Sequence, residues 1–477
     1  MAHAVLWPGN PPRDAWHSFD RTPWRHPWLA AANLRRAKQH SEALLAQALR
    51  AAQDVERRNR YGFVCNIANG LYHRAVALRK RGMDITVFTH PDDRYVMSHP
   101  EWEEYDGVLD ASLVDFGRAV EAGVLFPSVP GIVRLAPDAV PSSVSQAWRV
   151  KPSFVGALEW LRWYGVVVRF RSLLNALQEM DALLSSQAPY LAYLAKRPYL
   201  VTQMGGDIWY ECSHDDRLGR LQRTAYFNAN AFLVSNPWSY AHARRFGMRH
   251  LIYLPVLLDE EAYSPGIGRF RSEWAAAIGG EFFVLCTARL DDLYKGSKIA
   301  LDGFARFAAL NTGARLVVLG WGADRDKRLA GLRALGIADK TLVLPLSGKR
   351  RLIEYLRSAD CLLDQLVLGY YGSTALESMA CGLPVLMRLE TDQYAALCET
   401  GAPPVLNCAT PQDVAQALER LSTSEAWRRE LGERHRAWFL ANHSAGRWKD
   451  SYDALLALTV AGKRLEFSGS PLAEPLS

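Results

Sequence analysis

The chain has 477 residues, 49% of them hydrophobic and 22% charged, with 34 glycines and 24 prolines. Those proportions exclude a collagen, a low-complexity disordered chain and a disulfide-stapled miniprotein, and the length suits two or three domains of about 100–200 residues. The formal net charge of +6, from 56 basic and 50 acidic residues, is small for a protein that works by neutralising many phosphates.

Residues 1–28 read as a loop rich in proline and tryptophan (Trp7, Trp16, Trp24, Trp28). Leu34, Ala37, Leu44, Ala48, Ala52 and Val55 then recur at three- or four-residue steps, or sums of them, and predict a helix over 29–58. Arg35, Arg36, Lys38, Arg50, Arg57 and Arg58 surround that stripe. Such a helix packs on a neighbouring domain, or lies on a membrane surface or a partner.

From Tyr61 the pattern alternates strand and helix. YGFVCNI (61–67) predicts a buried strand, Asn69-Gly70 a turn, the next residues a helix to Arg81 closed by Gly82, and ITVFTH (85–90) a second strand. Residues 91–150 are irregular and proline-rich, and ALEWLRWYGVVVRFRSLLNALQEM (157–180) predicts one long helix. Short strands follow at DALLSSQ (181–187), YLVTQM (199–204), AFLVSN (231–236) and HLIYLP (250–255). A second series begins near Glu281, with strands at FFVLCTAR (282–289), ARLVVLG (314–320), TLVLPL (341–346), CLLDQL (361–366), PVLMRL (384–389) and PVLN (404–407). Apolar runs alternating with helices predict two doubly wound parallel-sheet α/β domains, which bind ligands at the carboxyl ends of their strands. The expected division is a helical extension over 1–60, a first domain over 61–263, a second over 264–440, and a closing helix and tail over 441–477 that packs back toward the first domain.

Seven scattered cysteines show no CxxC pair and no zinc spacing with histidine, so reduced, buried thiols and a cytoplasmic setting are expected. No signal peptide and no membrane-spanning run is expected, and nor is a resident metal or cofactor.

Three segments carry candidate chemistry. In RLDDLYKG, Arg289 and Lys295 sit six apart on a loop between a strand and a helix, where two cations clamp a diphosphate or merely face solvent. In YYGSTALESMACGLPVLM, Gly372, Ser373 and Thr374 open a helix whose free N–H groups form an anion site, with Ser373 or Thr374 as cap. Glu377, about one turn inside, suits a ribose diol, although a capped helix with a favourable carboxylate accounts for much of the pattern. In LGWGADRDKRL, a strand ends at Gly320, and Gly322 permits a tight turn beneath a ligand, a weak signal by itself.

Together these segments resemble the GT-B glycosyltransferases of the retaining family-4 (group 1) type. That pattern has an Arg-x5-Lys-Gly loop, a strand ending near Gly-x-Gly, and a helix start followed by Glu-Ala-Met-Ala-x-Gly-x-Pro-Val, here Glu377-Ser-Met-Ala-Cys-Gly-Leu-Pro-Val385. The linker LDEEAYSPG (258–266) also looks like the family's. The resemblance covers roughly residues 61–455 and is specific in the second domain. It implies two Rossmann-like domains facing a cleft, and transfer of a sugar from a nucleotide-diphosphate donor to a hydroxyl acceptor in polysaccharide, glycolipid or other glycan synthesis, without a metal. It implies that Arg289 and Lys295 bind the donor diphosphate, that Glu377 holds the ribose, that Gly372–Thr374 receives the distal phosphate, and that Leu346 and Ser347 lie near the base. A nucleotide-sugar isomerase and a catalytically silent nucleotide- or glycan-binding module are the alternatives on this fold.

Two positions depart from the family. Its sugar-facing Glu is matched by Gly369, so Asp364 or Gln365 is expected to substitute. Its His-Gly-x-Asp turn reads Met204-Gly-Gly-Asp207, which leaves Asp207 as the polar candidate, either catalytic or turn-stabilising. The acceptor side is expected at the first strand–helix turn, from Asn66, Asn69, Gly70 and His73. Finally, Trp148, Trp160, Trp163 and Phe170 interleave with Arg149, Lys151, Arg162, Arg169 and Arg171, which suits an anionic membrane surface or a packed helix with exposed arginines. Nucleic acid is not an expected partner.

Overall fold

The computed structural model describes residues 30–53, 59–89, 95–203, 208, 211–248 and 250–462. The tryptophan-rich start, Val55, Arg57, Arg58 and Asp207 lie outside the described residues. In chain order the strands are β1 Arg60–Val64, β2 Asp84–Thr89, β3 Val108–Leu109, β4 Ile132–Arg134, β5 Ala182–Ser186, β6 Tyr199–Thr202, β7 Ala231–Val234 and β8 Leu251–Tyr253. They continue with β9 Phe282–Cys286, β10 Ala314–Leu319, β11 Thr341–Leu344, β12 Leu346–Ser347, β13 Cys361–Leu363, β14 Val385–Met387 and β15 Leu406–Asn407. The chain forms two compact units, one from residues within 1–100, 129–257 and 448–477, the other from 101–128 and 258–447.

The first unit is a seven-stranded parallel sheet in the order β4-β2-β1-β5-β6-β7-β8. The sheet interior is mainly apolar, as in a parallel sheet covered on both faces; Phe63, Leu183, Leu184 and Val201 are fully buried. The first helix, Ala31–Ala51, buries Leu34, Ala37, Leu44 and Ala48, the stripe its spacing predicts. Ser41 fastens it to the edge strand: its hydroxyl donates to the Ala37 carbonyl (2.7 Å) and accepts the Tyr253 N–H (2.8 Å). From Trp448 onward the helix Ala445–Val460 belongs to this unit, where the buried Arg74 donates to the Tyr452 hydroxyl (2.9 Å).

The single helix expected over 157–180 is divided: Ala157–Arg169 is kinked at Trp163 (φ −119°, ψ 24°), and Arg171–Gln178 follows a break at Phe170 (φ −111°, ψ 20°). The cause is Asp138, from the irregular segment upstream. Its carboxylate accepts from Ser172 N (2.8 Å) and Ser172 Oγ (2.6 Å), while its own amide donates to the Arg169 carbonyl (2.7 Å). One residue thereby satisfies backbone groups on both sides of the break.

The second unit is a six-stranded parallel sheet in the order β11-β10-β9-β13-β14-β15, with a core that includes Val284, Phe304, Val318 and Leu363. Residues 101–128 are part of this unit. β3 pairs antiparallel with β12 (Leu346 opposite Leu109, Ser347 opposite Val108), Arg269 holds Asp106 at 2.6 Å, and the Tyr263 hydroxyl donates to Glu103 at 3.0 Å. All seven cysteines are buried and none forms a disulfide.

Candidate functional site

The carboxyl ends of β9, β10 and β13 carry three loops of the second unit, and hydrogen bonds join them. After β9 the loop runs Thr287 to Gly296 and is organised by Asp291, which is nearly fully buried. Its amide donates to Ser297 Oγ (2.7 Å) and its carboxylate accepts the Tyr294 amide (3.0 Å). The same carboxylate sits 3.2 Å from Arg289 Nε, and the Arg289 guanidinium also lies over the Tyr294 ring. Motif spacing does not single out Asp291, although the Asp-Asp pair inside RLDDLYKG is its signal in the sequence.

Lys295 reaches the β13 loop. Its ammonium donates to Gln365 Oε1 (2.8 Å), and the Gln365 amide nitrogen in turn donates to the Tyr370 carbonyl. Burial pushes the Lys295 pKa down; Asp364 and Asp291 work against that and Arg289 adds to it. Burial pushes the Asp364 carboxyl up, offset by Lys295. Asp364, Gln365 and Lys295 thus form one cluster at the end of β13.

Gly322 sits in a tight turn after β10. At φ +115° its Cβ would lie 2.5 Å from Leu290 N and 2.6 Å from Leu290 O. The missing side chain lets the β10 loop close on the β9 loop, where Leu290 N donates to the Trp321 carbonyl (2.7 Å) and Asp324 N to the Leu290 carbonyl (2.8 Å). Gly320 is less confined, since its Cβ would come 2.8 Å from a side-chain carbon, Val343 Cγ1.

The helix Ser373–Ala380 begins after Gly372, which occupies the N-cap position, and no side chain caps it. Ser373 and Thr374 lie inside the helix, so neither is the cap. Without a side-chain acceptor, the first N–H groups stay open to an anion. Glu377 is fully buried; Lys349 Nζ donates to its Oε1 at 2.5 Å, and its Oε2 has no hydrogen-bond partner among the described residues. Burial opposes the Lys349 charge, but Glu377 and Glu103 outweigh it and hold the Lys349 pKa above its ordinary value. Burial, with Glu103 and Glu377 nearby, raises the Tyr263 pKa. Leu346 and Ser347 are buried in β12, and the Ser347 hydroxyl bonds the Pro345 carbonyl (3.0 Å) and the Tyr355 hydroxyl (3.3 Å).

In the first unit, Asn66 and Asn69 build the turn after β1 with their side chains. Asn66 Nδ2 donates to Asn69 Oδ1 (2.5 Å) and the Ser98 carbonyl (3.0 Å), and its Oδ1 accepts the Tyr72 amide (2.8 Å). Asn69 Nδ2 donates to the His99 carbonyl (3.1 Å). Those bonds hold Cys65, Ala68 and Asn69 at positive φ (67°, 47° and 54°). Gly70 and His73 are buried on the helix Gly70–Arg79, where the Gly70 carbonyl accepts from Arg74 (2.7 Å). In the aromatic–cation segment, Trp160, Trp163 and Phe170 belong to the core. Trp148 (46%), Leu158 (83%) and Leu161 (59%) are the exposed apolar residues, and Arg162 stacks 5.0 Å over Trp163.

Among the described residues no group of three or more His, Cys, Asp or Glu side chains is placed to hold a metal ion, and no helix is long and apolar enough to cross a membrane.

Residues 270–438 match the family described as Glycosyl transferases group 1. Over 213 residues the chain is 27% identical to the D-inositol 3-phosphate glycosyltransferase of Nocardiopsis dassonvillei, a match covering 43% of this chain and 48% of that protein. Over 168 residues it is 32% identical to the protein of the same name from Acidothermus cellulolyticus, covering 32% and 37%. The chain thus spans about half the length, or less, of these relatives. Among solved structures, Anabaena HepE in complex with UDP and glucose aligns with a TM-score of 0.56 at 14% identity, covering 81% of this chain and 96% of that one. Sucrose-phosphate synthase from Thermosynechococcus elongatus aligns with a TM-score of 0.53 at 16% identity, covering 85% and 98%. These likenesses identify the two parallel-sheet α/β domains as the GT-B fold.

Proposed function

We propose that this chain, a GT-B protein whose residues 270–438 match the group 1 glycosyl transferases, moves a sugar from a nucleotide-diphosphate donor to a hydroxyl acceptor. The observation that carries the reading is the link from Lys295 through Gln365 to the Tyr370 carbonyl, two residues before the uncapped helix start at Gly372. It ties a lysine to a set of open backbone N–H groups around one strand-end loop system, and Arg289 stands on the same β9 loop as that lysine. That combination suits a diphosphate.

On this reading, negative charge grows on the diphosphate as the glycosidic bond breaks, and Arg289, Lys295 and the helix start stabilise it. A preorganised donor of this kind lowers a barrier by about 3–4 kcal/mol. The protein charges take the part that a divalent cation plays elsewhere, and the retaining course follows the family resemblance. Glu377, pinned through Oε1 by Lys349, keeps Oε2 for the ribose diol. Uridine is the first base to test, because solved neighbours were captured with UDP and UDP-glucose. An inositol phosphate is the first acceptor to test, since the matching relatives carry that substrate in their names. Asp207 stays a candidate for the sugar-facing acid of the first domain. Asn66 and Asn69 shape the acceptor turn through their mutual hydrogen bonds, with Gly70 and His73 on the helix behind it.

Exposed Trp148, Leu158 and Leu161, with Arg149 and Arg162 beside them in sequence, support peripheral attachment to an anionic membrane from the cytoplasmic side, with a lipid-linked glycan as the natural acceptor. Equal partitioning onto neutral and anionic vesicles would remove that attachment.

The test of the transferase is product release from UDP-, GDP- and ADP-sugars with a hydroxyl-acceptor panel. Wild type is expected to turn over at least one donor, and Lys295→Ala and Glu377→Ala to lose that activity while staying folded. Near wild-type turnover in both variants would refute the donor site. Gly369 favours a second reading, a module that binds nucleotide without transfer. Saturable diphosphate binding with no turnover across the panel would select it.

A further inference from the structure

Gly369 stands where the family resemblance expects a carboxylate, and it has no side chain to offer. Asp364 and Gln365, the expected substitutes, are both engaged within the loop system. Asp364 is nearly fully buried beside Lys295, and both polar ends of the Gln365 side chain are already bonded, one to Lys295 and one to the Tyr370 carbonyl.

The space beside Gly369 is filled from another part of the chain. A Cβ built on Gly369 would overlap Cγ of Glu390 and lie 3.1 Å from its Oε1 and 3.2 Å from its Cδ. Glu390 comes just after β14, and three bonds fasten it here. Its amide donates to the Gly369 carbonyl (2.9 Å), Arg388 Nη2 holds Oε1 at 2.9 Å, and the Arg388 amide donates to the Gln365 carbonyl (2.9 Å). Gln365 is the residue that receives Lys295, so Glu390 belongs to the same hydrogen-bonded loop system as the diphosphate clamp. Its side chain is 29% exposed rather than sealed in the core. Any side chain at 369 would displace it, and the glycine is therefore what makes room for Glu390.

We propose that Glu390 supplies the carboxylate that accepts hydrogen bonds from the hydroxyls of the donor sugar, doing from the β14 loop what a side chain at position 369 would otherwise do. This makes it a specificity-determining residue for the sugar, and it rests on the donor-site reading above. A carboxylate beside bound hydroxyls gains charge-assisted hydrogen bonds and discriminates against donors that lack them.

The experiment titrates UDP, GDP and ADP, and the glucose conjugate of each, into the full chain by calorimetry, and carries forward the pair that binds. Glu390→Gln keeps the shape and removes the charge. It is expected to weaken the nucleotide-glucose about tenfold while leaving the free diphosphate unchanged, the loss typical of a hydrogen bond to a charged group. The exchange Gly369→Glu with Glu390→Ala returns a carboxylate to the same space from the other strand end and is expected to recover part of the loss. Equal affinity of wild type and Glu390→Gln for the nucleotide-glucose overturns the proposal. So does a parallel loss for diphosphate and conjugate, which would make Glu390 a partner of Arg388 that only shapes the loop. Failure of wild type to bind any diphosphate would overturn the donor-site reading first and this inference with it.

Discussion

Lys349→Met separates the electrostatics of the buried pair from its role in binding. Glu377 has a side-chain exposure of 0% and Lys349 of 12%, and the two meet at 2.5 Å. Removing the lysine strands a carboxylate away from water, and breaking a buried pair in this way costs about 3–5 kcal/mol. For a domain of this size each kcal/mol lowers Tm by about 2–4 °C, so the expected drop is about 6–20 °C. Lys349→Met with Glu377→Leu removes both charges and should recover most of the loss, because a buried pair exchanged for apolar groups of similar volume is close to neutral. Differential scanning calorimetry reads the stability, and titration with nucleoside diphosphate reads the site. The double variant is expected to melt near wild type and still bind poorly, for want of Glu377 at the ribose. A single variant that melts within about 2 °C of wild type, or a double variant no more stable than the single, would refute the reasoning.

Other consequences follow from particular contacts. His435 is fully buried and burial lowers its pKa to about 4 from 6.5, against the pull of the Leu431 carbonyl at 2.7 Å. Because the folded pKa lies below the unfolded one, the unfolded chain binds more protons in between. Stability is then full above about pH 6.5 and falls as pH drops toward 4, by about 3 kcal/mol. Urea melts at pH 7 and pH 5 should show the decline in wild type and a flatter profile in His435→Gln; equal slopes would contradict it. Gly322→Ala puts a methyl against the Leu290 backbone, and a loss of about 1–3 kcal/mol, with weaker diphosphate binding, is expected by thermal melt and titration. Ser41→Ala leaves the Tyr253 amide without its acceptor and should cost about 1–3 kcal/mol by denaturant titration.

The sheet strands were legible because a strand covered on both faces is an unbroken apolar run, and FFVLC, ARLVVL and CLL read that way without any tertiary information. The break at Phe170 was not legible, because its cause, Asp138, lies far upstream in an irregular stretch. The attachment of residues 101–128 to the second unit was hidden for a similar reason: β3 is two residues long, and long-range pairs such as Arg269 with Asp106 hold the segment. At the candidate site, motif spacing picked out Lys295 and Glu377, the residues proposed to meet the donor. It passed over Asp291, Lys349 and Glu390, which orient those residues or fill space beside them. Spacing along a loop reports which groups one segment can present, whereas a partner from another strand end leaves its trace only in three dimensions. Gly369 shows the limit from the other side, since the space its missing side chain leaves is taken, in the fold, by Glu390.

Titration of UDP, GDP and ADP into wild type and into Arg289→Ala/Lys295→Ala tests the central claim most directly. Saturable binding of at least one diphosphate to wild type and its loss in the double variant are expected, with both proteins melting as folded chains. Absence of binding to wild type by all three, or undiminished binding by the double variant, would contradict it.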